Sequence, residues 1–142
     1  MTDLHLPDVN VLVALLHSSH VFHEHARQWF MKTKRFATTP ITEIGFLRVA
    51  LNPAVMGTET RSEDALASLR SLRAHTRAEF LPDETSLSHA MVDLIGFVGH
   101  RQTTDLHLVN LAVTRNARLV TLDKRIRSVL SPRDQKYVVE LI

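Results

Sequence analysis

The chain of 142 residues contains no cysteine. That excludes a disulfide scaffold, a thiol nucleophile and a cysteine-based zinc site. No apolar run approaches the roughly 20 residues needed to cross a bilayer, so no membrane association is expected. Ahead of the first apolar stretch stands Asp3 rather than a basic cluster, which argues against a secretory signal and for a cytoplasmic protein. There is no internal repeat and no low-complexity tract. A helical zinc pair of the H-E-x-x-H type is missing as well. His23-Glu24-His25 has the wrong spacing for one, and with His20 it reads as a solvated helix surface. A strongly basic stripe is also absent; the formal net charge of +2 permits a nucleic-acid partner without demanding one.

What remains is an ordinary globular composition, with 44% hydrophobic and 23% charged residues, enough for a core without staples. The length suits a single domain over residues 1–142. The chain is organised around its first apolar stretch, Leu4 to Leu16, which begins as a strand and turns helical. Leu12, Leu15 and Leu16 fall at the spacing of one helix face, and Asp8 sits where strand gives way to helix. Asp8 has two readings. Asp is a preferred helix N-cap, and a carboxylate at a buried strand's carboxyl end also stands where open α/β sheets bind ligands.

A second helix is expected from about Val21 to Thr33, capped by Ser19 and facing inward with Phe22, Ala26, Trp29 and Phe30. Arg35 to Thr38 reads as a strand, and Thr39-Pro40 opens a helix with Ile44, Leu47, Leu51 and Val55 as its buried face. Glu43 falls in that helix's first turn, where the helix dipole favours a carboxylate. Asn52-Pro53 ends it. Ser62 to His75 is amphipathic through Leu66, Leu69 and Leu72, with Arg61, Arg70, Arg73 and Arg77 as a basic flank. A strand at Ala78 to Pro82 precedes a helix from Thr85 or Ser86 to about Val98. A further helix begins near Asp105 and buries Leu106, Val109, Ala112 and Val113, with Asn116 as its left-handed terminus. Arg118 to Asp123 repeats the opening pattern of an apolar strand ending in a carboxylate, and Tyr137 to Ile142 supplies a last strand.

Strands alternating with helices argue for right-handed βαβ units and a parallel sheet of four to five strands with helices on both faces. Four acids then share one rim: Asp8 and Asp123 at strand ends, Glu43 and Asp105 at helix starts. Converging carboxylates repel and raise one another's pKa unless cations are present. Hard divalent cations answer that need, and Mg²⁺ or Mn²⁺ suits carboxylates plus water. Such a site activates water and steadies the leaving oxygen in phosphodiester cleavage.

The stretches Leu6-Pro7-Asp8-Val9-Asn10-Val11-Leu12, Thr42-Glu43-Ile44-Gly45-Phe46-Leu47-Arg48-Val49, His100-Arg101-Gln102-Thr103-Thr104-Asp105 and Leu119-Val120-Thr121-Leu122-Asp123 resemble the acidic motifs of PIN-domain nucleases. The set is most similar to VapC-type toxins of bacterial toxin–antitoxin pairs, in order and over essentially the whole chain. The resemblance implies a PIN-like fold and a Mg²⁺-dependent endoribonuclease that also uses Mn²⁺, forms a homodimer and is held inactive by a cognate antitoxin. Asp8 and Asp105 match the principal metal ligands, Glu43 the second acidic motif and Asp123 the fourth. Asn10 and Thr121 stand where the family has polar support for the acids. Arg101 and the arginines between 61 and 77 are candidates for substrate phosphate. Two other readings fit the same acids. One is a DNA-directed or RNA-processing housekeeping nuclease on this fold, and the other is a non-catalytic binding module whose acids only cap helices.

Overall fold

The computed structural model describes residues 3–142. Five short strands form one all-parallel sheet: β1 (Leu4–Pro7), β2 (Arg35–Thr38), β3 (Ala78–Phe80), β4 (Arg118–Thr121) and β5 (Val138–Glu140). Their spatial order is β3-β2-β1-β4-β5. The helices are α1 (Val9–Leu16), α2 (His23–Lys32), α3 (Pro40–Ala50), α4 (Pro53–Met56), α5 (Ser62–Arg73), α6 (Thr103–Thr114) and α7 (Lys124–Ser128). The expected α/β class and parallel sheet are present, at the upper strand count. Among the described residues no helix is long and apolar enough to cross a membrane.

Successive strand residues point to opposite faces, so both faces of a parallel sheet must be covered. Leu6 and Leu119 join a cluster with Leu106 and Val109 of α6. Phe36 and Val120 join the other cluster, with Leu12 of α1, Trp29 of α2 and Leu69 and Leu72 of α5. Because every strand runs the same way, all five carboxyl ends line one rim. The order reverses at β1, which has β2 on one side and β4 on the other. Such a reversal opens a crevice beyond the strand ends.

Three local expectations are corrected. Ile44, Leu51 and Val55 are exposed, and α3 buries Thr42, Phe46 and Ala50 instead. The cause is Gly45, whose bare backbone lies against α1. A Cβ there would come within 2.4 Å of Val9 Cγ2. That close approach sets which side of α3 faces inward, and leucine spacing does not reveal it. Leu66 of α5 is likewise at the margin of exposure, with Ala65 buried in its stead.

The stretch from Thr85 to Val98 is not a helix. It holds one short 3₁₀ turn at Leu87–His89 and otherwise runs irregularly. Its backbone is satisfied by buried side chains rather than by its own ladder. Asn110 of α6 accepts the Met91 N–H at 2.7 Å, and Asp134 accepts the Asp93 N–H at 2.8 Å. Gly96 lies so close to the Val129 carbonyl that a Cβ would meet its oxygen at 2.0 Å.

The third correction concerns α2, which starts at His23 and is not capped by Ser19. His20 Nδ1 accepts the Phe22 N–H at 3.0 Å, and His23 Nδ1 lies 2.8 Å from the Ala14 carbonyl oxygen. Two of the three clustered histidines therefore fasten the α1–α2 connection. Asn116 does adopt the left-handed conformation, with φ of 53°.

Gly45→Ala should force the Val9 side chain and α1 to move. Overpacking of this kind costs about 1–3 kcal/mol, so the variant should melt several degrees below the wild type in a thermal scan. Equal melting temperatures would show that the α1–α3 approach is not a constraint.

Candidate active site

The end of β1 delivers Asp8 into the crevice. Its N–H extends the sheet by donating to the Val120 carbonyl at 2.9 Å. Its side chain is only 4% exposed. Carboxylate Oδ1 accepts the Val11 N–H at 3.1 Å and so caps α1. Oδ2 accepts the hydroxyl of Thr121, the last residue of β4. Thr121 in turn accepts the Asp123 N–H at 2.9 Å, so its proton is directed to Asp8. Cap and buried acid are therefore one residue. Burial pushes the Asp8 carboxyl up to about 6, against the pull of Thr121 and the Val11 amide, and the charge of Asp105 adds to the rise.

Asp105 lies in the first turn of α6. Burial raises its pKa, and the neighbouring Asp123 charge raises it further while Arg125 opposes. Asp123 caps α7 by accepting the Arg125 N–H at 2.9 Å. The Arg125 guanidinium grips both oxygens of the same carboxylate, at 3.0 and 2.8 Å, and holds its pKa below the usual range. Asp105 and Asp123 share a cavity of about 230 Å³ with Arg101, Gln102, Arg125 and Ile126. Arg101 thus stands where a phosphate could reach it. The buried side-chain oxygen of Gln102 has no hydrogen-bond partner among the described residues.

Glu43 sits on the other side of β1. The hydroxyl of Thr38, which ends β2, donates to its Oε2 at 2.6 Å. The Nε of Arg73, at the end of α5, lies 3.5 Å from the same oxygen. Asp105 therefore stands between the like charges of Asp8 and Asp123 on the β1–β4 side, while Glu43 is occupied beside β2. Asn10, the second residue of α1, helps through its backbone amide to lower the Asp8 pKa. Its side chain is exposed and makes no hydrogen bond to any of the four acids.

A hard cation fits the chemistry of this group: two carboxyls driven up in pKa by burial and like charge, beside an unpaired oxygen. Among the described residues no three carboxylates or imidazoles already close around one point. Asp123 is turned onto Arg125, and Glu43 onto Thr38 and Arg73. Sequence reading missed Arg125 and Thr38. The signal was the shared ending of two apolar strands, Phe36-Ala37-Thr38 and Leu119-Val120-Thr121, each placing a threonine hydroxyl against an acid.

A doubly wound parallel sheet with carboxylates gathered at its strand-order reversal is the layout of the PIN domain. The PIN domain family model matches residues 6–130, and the chain belongs to that family. Within it, the chain is 45% identical over 139 residues to Ribonuclease VapC38 of Mycobacterium tuberculosis, covering 96% of each chain. It is 39% identical over 127 residues to Ribonuclease VapC39 of the same species, covering 83% of this chain and 87% of that one. Among solved structures it is similar to the VapBC2 complex of Rickettsia felis bound to a DNA fragment from their promoter. The TM-score is 0.62 at 15% identity, over 96% of this chain and 98% of that one, which shows the shared fold.

The folded state holds the Asp8 proton more tightly than the unfolded chain does, about 6 against 3.8. Between these values the native protein binds more protons, so the metal-free protein should lose stability as pH rises from about 4 to about 6 and regain none above. The span corresponds to about 3 kcal/mol. Asp8→Asn, which cannot ionise, should flatten this profile and melt at or above the wild type at neutral pH in EDTA. A variant that melts well below the wild type there would mean that the buried charge is not a net cost.

Proposed function

We propose that this chain is a Mg²⁺-dependent endoribonuclease acting as the toxin of a toxin–antitoxin pair. The observation that carries the reading is the buried Asp8 beside Asp105, itself beside Asp123, at the β1/β4 crevice. Its likeness to proteins named ribonuclease VapC supports RNA as the substrate and a cognate antitoxin as the partner. A homodimer acting in the cytoplasm belongs to the same reading.

Asp8 and Asp105 would hold the ion, with Asp123 and Glu43 joining once drawn from their arginines. Bound there, Mg²⁺ or Mn²⁺ supplies a water of lowered pKa and neutralises charge on the phosphodiester. The chain's own residues do the positioning. Thr121 fixes the Asp8 carboxylate in one orientation, because its hydroxyl accepts from Asp123 and can donate only onward. The cap bond from Val11 locks the other oxygen. Arg101 and Arg125 line the cavity and offer N–H groups to substrate phosphate. In the antitoxin complex, an arginine from the partner would satisfy the same acids.

Cleavage of single-stranded RNA should stop in EDTA, return with Mg²⁺ or Mn²⁺, and leave 5′-phosphate and 3′-hydroxyl ends. Asp105→Asn should cut slower by orders of magnitude yet fold normally, and Mn²⁺ should raise its melting temperature much less than that of the wild type. Cleavage that survives EDTA, or 2′,3′-cyclic phosphate ends, would overturn the hydrolytic reading. Preference for DNA in competition would favour the DNA-directed nuclease, since RNA is told apart by its 2′-hydroxyl. Absence of any metal response, with no cleavage, would favour the binding module.

A further inference from the structure

Beside the acids, at the ends of β2 and β3, the chain builds a cationic layer that meets the site described above only through the contact of Arg73 with Glu43. Phe80 closes β3 in register with Thr38, the residue whose hydroxyl holds Glu43. The next residue, Leu81, is buried, but Phe80 is left 39% exposed. The guanidinium carbon of Arg73 lies 4.4 Å from the centroid of the Phe80 ring. The Nε of the same guanidinium faces Glu43 at 3.5 Å, and the Arg73 side chain remains 46% exposed. No hydrogen bond engages its two terminal nitrogens among the described residues. An exposed aromatic ring, a stacked guanidinium with unused donors and a catalytic-rim carboxylate therefore follow one another in a row.

We propose that the Arg73–Phe80 layer is a nucleotide subsite, which stacks an unpaired base of the RNA and takes the adjoining phosphate on the free N–H groups of Arg73. This deepens the ribonuclease reading and rests on it. Bases of single-stranded RNA stack on aromatic rings and on guanidinium planes alike, and the guanidinium fork suits phosphate oxygens. A duplex offers phosphates but keeps its base faces stacked on one another, so the ring of the subsite selects unpaired RNA. Because Arg73 is held by Glu43, the bound nucleotide flanks the scissile phosphate on the β2–β3 side. A phosphate that draws Arg73 away also releases the Glu43 carboxylate toward the crevice. Phe80 thus sets which nucleotide sits beside the cut, and Arg73 couples its arrival to Glu43.

The test uses a short fluorescein-labelled single-stranded RNA of mixed sequence, bound to the non-cutting Asp105→Asn protein and followed by anisotropy. Alongside it, cleavage of the same RNA is measured in otherwise wild-type protein. Phe80→Leu keeps an apolar side chain but removes the ring, and should weaken binding about tenfold. It should raise KM for cleavage with kcat less affected, while Phe80→Tyr should restore both. Arg73→Gln should lower the salt dependence of binding by about 0.7 in the log–log slope, the loss of one phosphate contact. If Phe80→Leu binds and cuts as the wild type does, the subsite is overturned and the ribonuclease reading stands. The same holds if Phe80→Tyr loses as much as Phe80→Leu together with melting temperature, which would make the ring a packing element. It is equally overturned if Phe80→Leu spares RNA but abolishes antitoxin binding, which would make the patch a protein contact. If no protein in the series binds or cuts any RNA, the functional reading itself fails and the subsite with it.

Discussion

A carboxylate shut away from water at the centre of a parallel sheet is the constraint around which this molecule is arranged. Asp8 is nearly inaccessible, and ionising it there costs free energy that nothing apolar can return. The chain meets the cost with two donors, a main-chain amide from the helix that Asp8 caps and a hydroxyl from the neighbouring strand. Each donor demands something of the fold. The amide requires α1 to start immediately after β1. The hydroxyl requires β4 to pair with β1 so that Thr121 ends level with Asp8, as the register of Pro7 against Val120 provides.

The same logic extends outward along the rim. Three of the four acids have a partner from within the chain: Thr121 for Asp8, Arg125 for Asp123, Thr38 and Arg73 for Glu43. Asp105 alone has only the distant help of Arg125 against burial and the Asp123 charge, which raise its pKa. The distribution separates residues whose charge is settled by the fold from those that await something else. It also explains why acids expected to converge do not yet surround a single point. Arginines placed close by share them out.

Most of the sheet and all four acids could be read from the sequence, because both follow from short-range pattern. An apolar run ending in a carboxylate and opening a helix is visible in seven residues, as at Leu6 to Leu12 and Leu119 to Asp123. The failures lie where long-range contacts decide. The leucine-type spacing of Ile44 and Leu51 gave the wrong face because Gly45 meets Val9 across the helix pair. The stretch after Thr85 has a composition that suits a helix, yet two buried polar side chains from elsewhere, Asn110 and Asp134, claim its backbone donors. An asparagine amid the apolar residues of α6 was the visible hint. Glu43 stood correctly on the rim, but nothing local showed that Arg73, thirty residues on, would occupy it.

The bond between Thr121 and Asp8 joins residues 113 positions apart in the chain. Pairings of such separation form late, since loop closure must be completed before the contact rewards it. During synthesis β1 emerges well before its neighbour and cannot complete its pairing until β4 has also left the ribosome. Until then Asp8 has no strand beside it on that side and no hydroxyl to orient it. The acid-bearing rim is thus assembled only after β4 has been made. A copy lacking β4 carries the first three acidic motifs, with Asp8, Glu43 and Asp105, without the strand that orients Asp8. Topology alone therefore withholds the finished arrangement of acids until strands more than a hundred residues apart have met.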